Sequence, residues 1–198
     1  MAGARQYPDE TAGPFPSPPT SFEDRDGRTI EVRASDDFED TLEDVVEMYV
    51  QFDPTDRAQG IPPTGDERIR NWLETIADES VNVVARHGED VVAHAMLVPD
   101  TSDPSTIEDN AEIEWELAIF VLQDYQRAGI GTQLMEYLLG HAIGIGIERV
   151  WLTVERWNNP AIALYERVGF ESTGTESFEQ EMAIRLGDDS TVENGNEN

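Results

Sequence analysis

Apolar and polar positions alternate through Thr29-Ile30-Glu31-Val32-Arg33, a period of two that predicts a strand. Asp36 or Asp37 can then cap a helix in which Leu42, Val45, Val46 and Tyr49 recur at helical spacing. A loop from Pro54 to Pro63 leads to a second helix near Glu67 to Ala77, with Ile69, Trp72, Leu73 and Ile76 on one side. Two strands follow, 81–86 and 91–98, joined by His87-Gly88-Glu89-Asp90, a hairpin turn signal. Past an acidic loop from Pro99 to Asn110, the pattern gives a strand from about Ala111 to Val121 and a helix from about Gly129 to Ile145. A strand 150–154, a helix 160–167 and a last strand 179–186 complete the order β-α-α-β-β-β-α-β-α-β, which predicts an α/β fold with a mixed sheet. No internal repeat is visible.

The two ends read differently. Residues 1–27 hold Pro8, Pro14, Pro16, Pro18 and Pro19 with few apolar groups, and read as a disordered or extended Pro-rich arm. Residues 187–198 read as an acidic polar tail, so the folded domain is expected over residues 28–186.

Charge narrows the class of partner. The chain has 198 residues, 42 of them Asp or Glu against 13 basic residues, a formal net charge of −29. Every one of the basic residues is Arg; there is no Lys. Such a surface repels nucleic acid and anionic membranes, so neither is an expected partner. Excess acid without Lys resembles the composition of proteins from salt-saturated cytoplasm, where screening shortens the range of self-repulsion. The chain has no Cys, which excludes disulfides and thiolate chemistry. His87, His94 and His141 are scattered, without the spacing of a metal site, so no metal cofactor is expected. With no apolar run of membrane-spanning length and no secretory leader pattern, the expectation is a soluble, cytoplasmic protein, monomer or homodimer.

One segment carries the chemistry. After an apolar strand, Val121-Leu-Gln-Asp-Tyr-Gln-Arg-Ala-Gly-Ile-Gly-Thr132 makes a polar turn, and Gly129-x-Gly131 opens a helix. Glycines there let a polyanion approach the backbone, and the free N–H groups of the first helical turn point at it. A dinucleotide-binding fingerprint would need a third Gly where Leu134 stands, and a Walker loop would need a Lys. Gln126-Arg127-Ala128-Gly129-Ile130-Gly131 resembles the pyrophosphate-binding pattern of the GNAT superfamily of acyl-CoA N-acyltransferases. A second block, Asn158-Asn159-Pro160-Ala161-Ile162-Ala163-Leu164-Tyr165-Glu166-Arg167-Val168-Gly169-Phe170, resembles the family's Asn-x-x-Ala-x-x-x-Tyr-x-x-x-Gly-Phe.

The resemblance implies a mixed, mostly antiparallel sheet of six to seven strands flanked by about four helices, with acetyl-CoA as cosubstrate. It implies that the strand end around Ile119 to Gln123 splays from its neighbour and holds the pantetheine arm through Ile119, Val121 and Gln123. The N–H of Val121 would polarise the thioester carbonyl. Gln126, Arg127, Ala128, Gly129, Ile130, Gly131 and Thr132 would cradle the phosphates, continuing into Gln133 and Leu134, and Asn158 would contact the cofactor arm. A charge count agrees: residues 121–170 carry net −1, leaving −28 for the rest of the chain. Glu112, Glu114 and Glu116 alternate on the incoming strand, and Glu116 stands where related bacterial and archaeal protein lysine acetyltransferases place a catalytic Glu. Glu116 is therefore the expected general base, directly or through water, with Glu114 the second choice. Tyr165 is the expected partner of the departing thiolate. Gly169 and Phe170 are expected to be a helix stop and a core anchor, and His94 a satisfied sheet residue.

The acceptor is less defined. The first two helices and the 54–63 and 99–110 loops carry many acids, which would suit a cation such as a protein lysine. A small-molecule amine, a protein N-terminus, a longer acyl donor and a non-catalytic acetyl-CoA-sensing domain are the alternatives.

Overall fold

The apolar stripes above close into two cores on opposite faces of one sheet. A computed structural model of the chain describes residues 5–35, 38–53, 62–77, 79–101, 112–176 and 178–187. Its elements run β1 (Thr20–Glu23), β2 (Thr29–Ser35), α1 (Glu39–Val50), α2 (Asp66–Ala77), β3 (Val81–His87) and β4 (Asp90–Pro99). They continue as β5 (Glu114–Val121), α3 (Ile130–Gly144), β6 (Arg149–Glu155), α4 (Asn159–Val168), β7 (Glu171–Glu176) and β8 (Glu179–Arg185). The strand order is β1-β2-β3-β4-β5-β6-β8-β7, antiparallel throughout except for the parallel pair β5–β6.

Strand alternation divides the apolar residues between the faces. Val83, Ala85, Trp115, Leu117 and Val150 pack with Leu134, Leu138 and Leu139 of α3 on one face. Val84 and Val91 meet Val45, Tyr49, Ile69 and Leu73 of α1 and α2 on the other, with Phe120 of β5 against them. The β3–β4 hairpin turns through Gly88 at φ +64°, as the turn signal predicts. The expected caps Asp36 and Asp37, most of the 54–63 loop and nearly all of the 99–110 loop lie outside the described residues.

The sheet has eight strands, two more than the six read from the pattern and one more than the upper figure of six to seven. β1 and β7 stand at the two ends of the sheet. An edge strand needs only one neighbour and no two-sided apolar alternation, so β7, Glu-Ser-Thr-Gly-Thr-Glu, carries no large apolar residue at all.

The sheet also begins earlier than residue 28. The Pro-rich stretch is extended, but it is packed: Thr20 to Glu23 pairs with Thr29 to Val32, and Ala12 bridges to Leu186 through Ala12 N–H to Arg185 O at 2.7 Å. The segment crosses α3 at Gly140, where a Cβ would sit 2.0 Å from the Pro16 carbonyl oxygen; only glycine admits that crossing.

Candidate active site

The site opens where two neighbouring strands part. β5 and β6 pair only over Glu114–Glu116 and Arg149–Trp151, although β5 continues to Val121 and β6 to Glu155. Each keeps its outer partner over the same length, β4 for β5 and β8 for β6, so the gap is held open from both sides. Backbone direction along β5 follows from two bonds to the β4 side: Asp100 N–H donates to Glu114 O, and Leu122 N–H donates to Val92 O. Even-numbered residues therefore address β4, and the odd-numbered Ile119 and Val121 turn their N–H and C=O toward the gap. The Gln126 amide confirms this side by donating to Val121 O at 3.1 Å.

The turn after β5 carries the residues expected to cradle phosphate. Gln123 lies in a single 3₁₀ turn, Gln123–Tyr125. Arg127 is exposed and adopts φ +61°, and Gly129 caps α3 at φ +94°, a conformation that suits glycine. Ala128 and Ile130 turn their side chains into the core and offer only backbone at the turn. A Cβ on Gly131 would lie 3.7 Å from both Val121 and Leu164, so its absence keeps room between the strand end and α4. Leu134 is buried in the α3 core, and Gln133 donates to Glu136 at 3.1 Å. A narrow opening, a glycine-lined turn and a helix start with free N–H groups fit a phosphate-bearing pantetheine chain.

An unexpected cation stands beside this turn. The β1–β2 connection folds around Asp24, whose carboxylate accepts from Asp26 N–H at 3.0 Å, from Arg28 N–H at 2.9 Å and from Arg28 Nε at 2.7 Å. Arg25 on that rigid turn donates its N–H to Ala128 O at 3.0 Å and its Nη1 to Arg127 O at 3.4 Å. Its Nε lies 3.8 Å from where a Cβ on Gly129 would be. Arg28 reaches the same turn, donating to Asp124 O at 3.0 Å and covering the Tyr125 ring at 4.3 Å. Neither arginine could be assigned from sequence, because their positions depend on a strand inside the supposed arm.

Glu116 lies on the α1/α2 face of β5, opposite Trp151 in the parallel register. Desolvation raises its pKa, the charge of Asp100 raises it further, and Arg5 pulls it the other way. Glu114 is engaged by Arg5 in an ion pair, which leaves Glu116 the less committed of the two carboxylates. Glu112 precedes the strand instead of alternating within it.

Tyr165 is on α4, adjacent to the Leu164 that borders Gly131, with its ring 5.9 Å from Phe170. Burial pushes its pKa up to about 12. Asn158 caps α4, its side-chain oxygen accepting from Ala161 N–H at 3.3 Å. Gly169 ends α4 at φ +115°, and Phe170 is buried, as expected of a stop and an anchor. His94 is enclosed between two partners: Tyr49 OH is 2.8 Å from its Nδ1, and its Nε2 is 3.0 Å from the Asn82 side-chain oxygen. That network fixes the Nε2–H tautomer, and burial lowers the His94 pKa to about 3, so it stays neutral.

A sheet parted between its parallel strands, with a glycine turn feeding a helix at the opening, defines an acyl-CoA transferase type of fold. The model of the Acetyltransferase (GNAT) family matches residues 42–170, well over half of the chain, and the protein belongs to that family. It is 46% identical over 52 residues to the [ribosomal protein bS18]-alanine N-acetyltransferase of Escherichia coli strain K12, covering 26% of this chain and 35% of that one. The chain thus spans about a third of the length of that curated relative. Among solved structures, it resembles the GNAT domain of S. lividans PAT with a TM-score of 0.68 and 21% identity, covering 84% of this chain and 96% of that one. It also resembles an acetyltransferase from Salmonella typhimurium determined with acetyl-CoA, with a TM-score of 0.61 and 17% identity over 82% of this chain and 96% of that one.

Proposed function

We propose that the protein transfers an acetyl group from acetyl-CoA to a primary amine of a polypeptide, a lysine side chain, by direct attack in a ternary complex. The observation that carries this reading is the parting of β5 from β6, which turns the backbone of Ile119 and Val121 into an opening beside the glycine turn. Acetyl-CoA bound there supplies a thioester carbon for the amine to attack.

The residues have distinct tasks. The N–H groups from Gly129 to Thr132, with Arg127, hold the phosphates; Ile119, Val121, Gln123 and Asn158 line the path of the pantetheine arm. The Val121 N–H donates to the carbonyl oxygen as negative charge develops on it. Glu116 accepts a proton from the acceptor ammonium, directly or through water. Its raised pKa narrows the gap to a lysine ammonium at ~10.4, which makes that transfer less uphill than for an ordinary carboxylate. Tyr165 keeps its proton, and its phenol is a weaker acid than a thiol of pKa ~8.5. Its contribution is therefore a hydrogen bond to the departing sulfur, with complete proton transfer left to solvent. The protein is cytoplasmic in this reading, and its acidic surface suits a high-salt interior.

Thiol release from acetyl-CoA, measured with lysine peptides, peptides bearing a free N-terminal alanine, polyamines and free amino acids, tests the proposal. Release with lysine peptides and appearance of acetyl-lysine are expected. Tight CoA binding without release to any amine would favour an acetyl-CoA sensor. Because the chain has no Lys, acetyl-lysine cannot come from the enzyme itself.

A further inference from the structure

Arg5, from the segment ahead of the sheet, reaches the face of β5 that carries Glu116. Its Nε donates to Glu181 at 3.1 Å, and its Nη1 donates to Asp100 at 3.3 Å and to Glu114. Its guanidinium carbon lies 3.5 Å from the centroid of the Trp151 ring. The three carboxylates come from β8, the end of β4 and β5, so one cation is met by acids from three separate segments. Elsewhere among the described residues, Arg33, Arg70 and Arg86 pair with Glu31, Glu43 and Asp44, and Arg28 meets two acids within its own turn.

We propose that Asp100, Glu114, Glu181 and Trp151 form a subsite for a cationic side chain flanking the acetylated amine of the acceptor polypeptide, a guanidinium above all. Arg5 holds this subsite in cis until an acceptor displaces it. The proposal rests on the acetyltransferase reading only for where the acceptor lies.

Four observations carry it. First, the subsite adjoins Glu116: Trp151 is its partner across β5–β6, and Glu116 senses the charges of both Asp100 and Arg5. Second, three carboxylates from separate segments converge on the one guanidinium of Arg5, more than a single structural bridge requires, and Arg149 stands opposite Glu114 across β5–β6 without replacing it. Third, the Trp151 Nε1 is buried without a hydrogen-bond partner among the described residues, so the ring presents its face to the guanidinium while its edge is enclosed. A planar guanidinium can stack on an indole and still donate in its own plane to carboxylates, which an ammonium cannot do as well. Fourth, Arg5 can leave without unravelling the sheet, because the segment is fastened again at Ala12, at the Pro16 crossing of α3 and in β1.

A tethered occupant competes with a free one at a high effective concentration. Removing it should therefore tighten binding of a guanidinium-bearing acceptor and of no other. The test uses the full chain, its Arg5→Ala and Trp151→Leu variants, and lysine peptides with one Arg placed one, two or three residues to either side. Each peptide has a twin carrying Gln in place of that Arg. Measured well above the acid limb of the pH profile, Arg5→Ala is expected to lower the KM of at least one Arg peptide roughly tenfold relative to its Gln twin. Trp151→Leu is expected to erase the difference between twins. Equal KM values for the twins in all three proteins, or a KM that rises in Arg5→Ala, would overturn the subsite and leave Arg5 a strut. Peptide binding without acetyl-CoA, followed by calorimetry, separates this from the activity itself. Arg-dependent binding that tightens in Arg5→Ala without any acetyl transfer would uphold the subsite and sink the acetyltransferase reading. Transfer without Arg dependence would do the reverse.

Discussion

The turn from Val121 to Thr132 and the edge from Arg5 to Arg28 border the same opening, yet they are built on different principles. The turn is local: Gly129, Gly131 and the start of α3 lie within a few residues of each other, and what the turn presents is mostly backbone. The edge is long-range: Arg25 bonds to residues about a hundred positions away, and Arg5 joins acids on three strands or strand ends. Backbone-built sites tolerate a wholly acidic surface because they need few charged side chains. Side-chain-built sites must assemble their cations from wherever the chain can bring them, and here both come from the same N-terminal stretch.

Loss of the proposed base should have the largest effect. Glu116→Gln is expected to lower turnover by about 10²–10³ while leaving the acetyl-CoA dissociation constant unchanged. In the parent protein, kcat/KM should rise with pH through the raised pKa of Glu116, since the base works only when deprotonated. This acid limb should vanish in Glu116→Gln and move upward in Arg5→Ala, where the charge of Asp100 acts on Glu116 without the opposing charge of Arg5. Tyr165→Phe comes next, with a fall in kcat of about tenfold and a thermal midpoint close to the parent, as expected for the loss of one hydrogen bond to a developing charge. A larger loss of stability than of rate would make Tyr165 a packing residue.

Stability probes sharpen the other half. Gly140→Val should cost about 1–3 kcal/mol in chemical denaturation, because its side chain meets the Pro16 carbonyl and must push the N-terminal stretch away. If that stretch were loosely attached, the cost would be near zero. Arg25→Ala should weaken CoA binding roughly threefold to tenfold and leave kcat at saturation unchanged, in keeping with one exposed charge-assisted contact to phosphate. The effect of His94 is confined to acid pH. Its folded pKa of about 3 lies below the unfolded value of ~6.5, so the unfolded chain binds the extra proton between them. Stability from this group is full above ~6.5 and is lost as pH falls toward 3. His94→Gln should flatten that part of the stability–pH curve.

The legible part of the molecule was the part whose signals are short-range. Periodicity placed α1 to α4 and six of the eight strands within a few residues, and two motifs located the turn and α4. β1 and β7 escaped because edge strands carry little apolar alternation. Missing β1 made the first 27 residues look like an arm, and that hid Arg25 and Arg28 at the glycine turn and Arg5 beside Glu116. The charge asymmetry read from the sequence leaves out part of the charge around the glycine turn. Residues 121–170 are nearly neutral, but the added positive potential at the turn comes from Arg25 and Arg28, outside that window.

The most direct test of the account is acetyl transfer to a lysine peptide, with thiol release and acetyl-lysine formation followed in the same reaction by the parent protein and by Glu116→Gln. Equal amounts of thiol and acetyl-lysine are expected from the parent, and a loss of both in the variant at unchanged acetyl-CoA affinity. Thiol release that persists in Glu116→Gln at the parental rate, or acetyl-CoA binding with no acetyl-lysine from either protein, would contradict it.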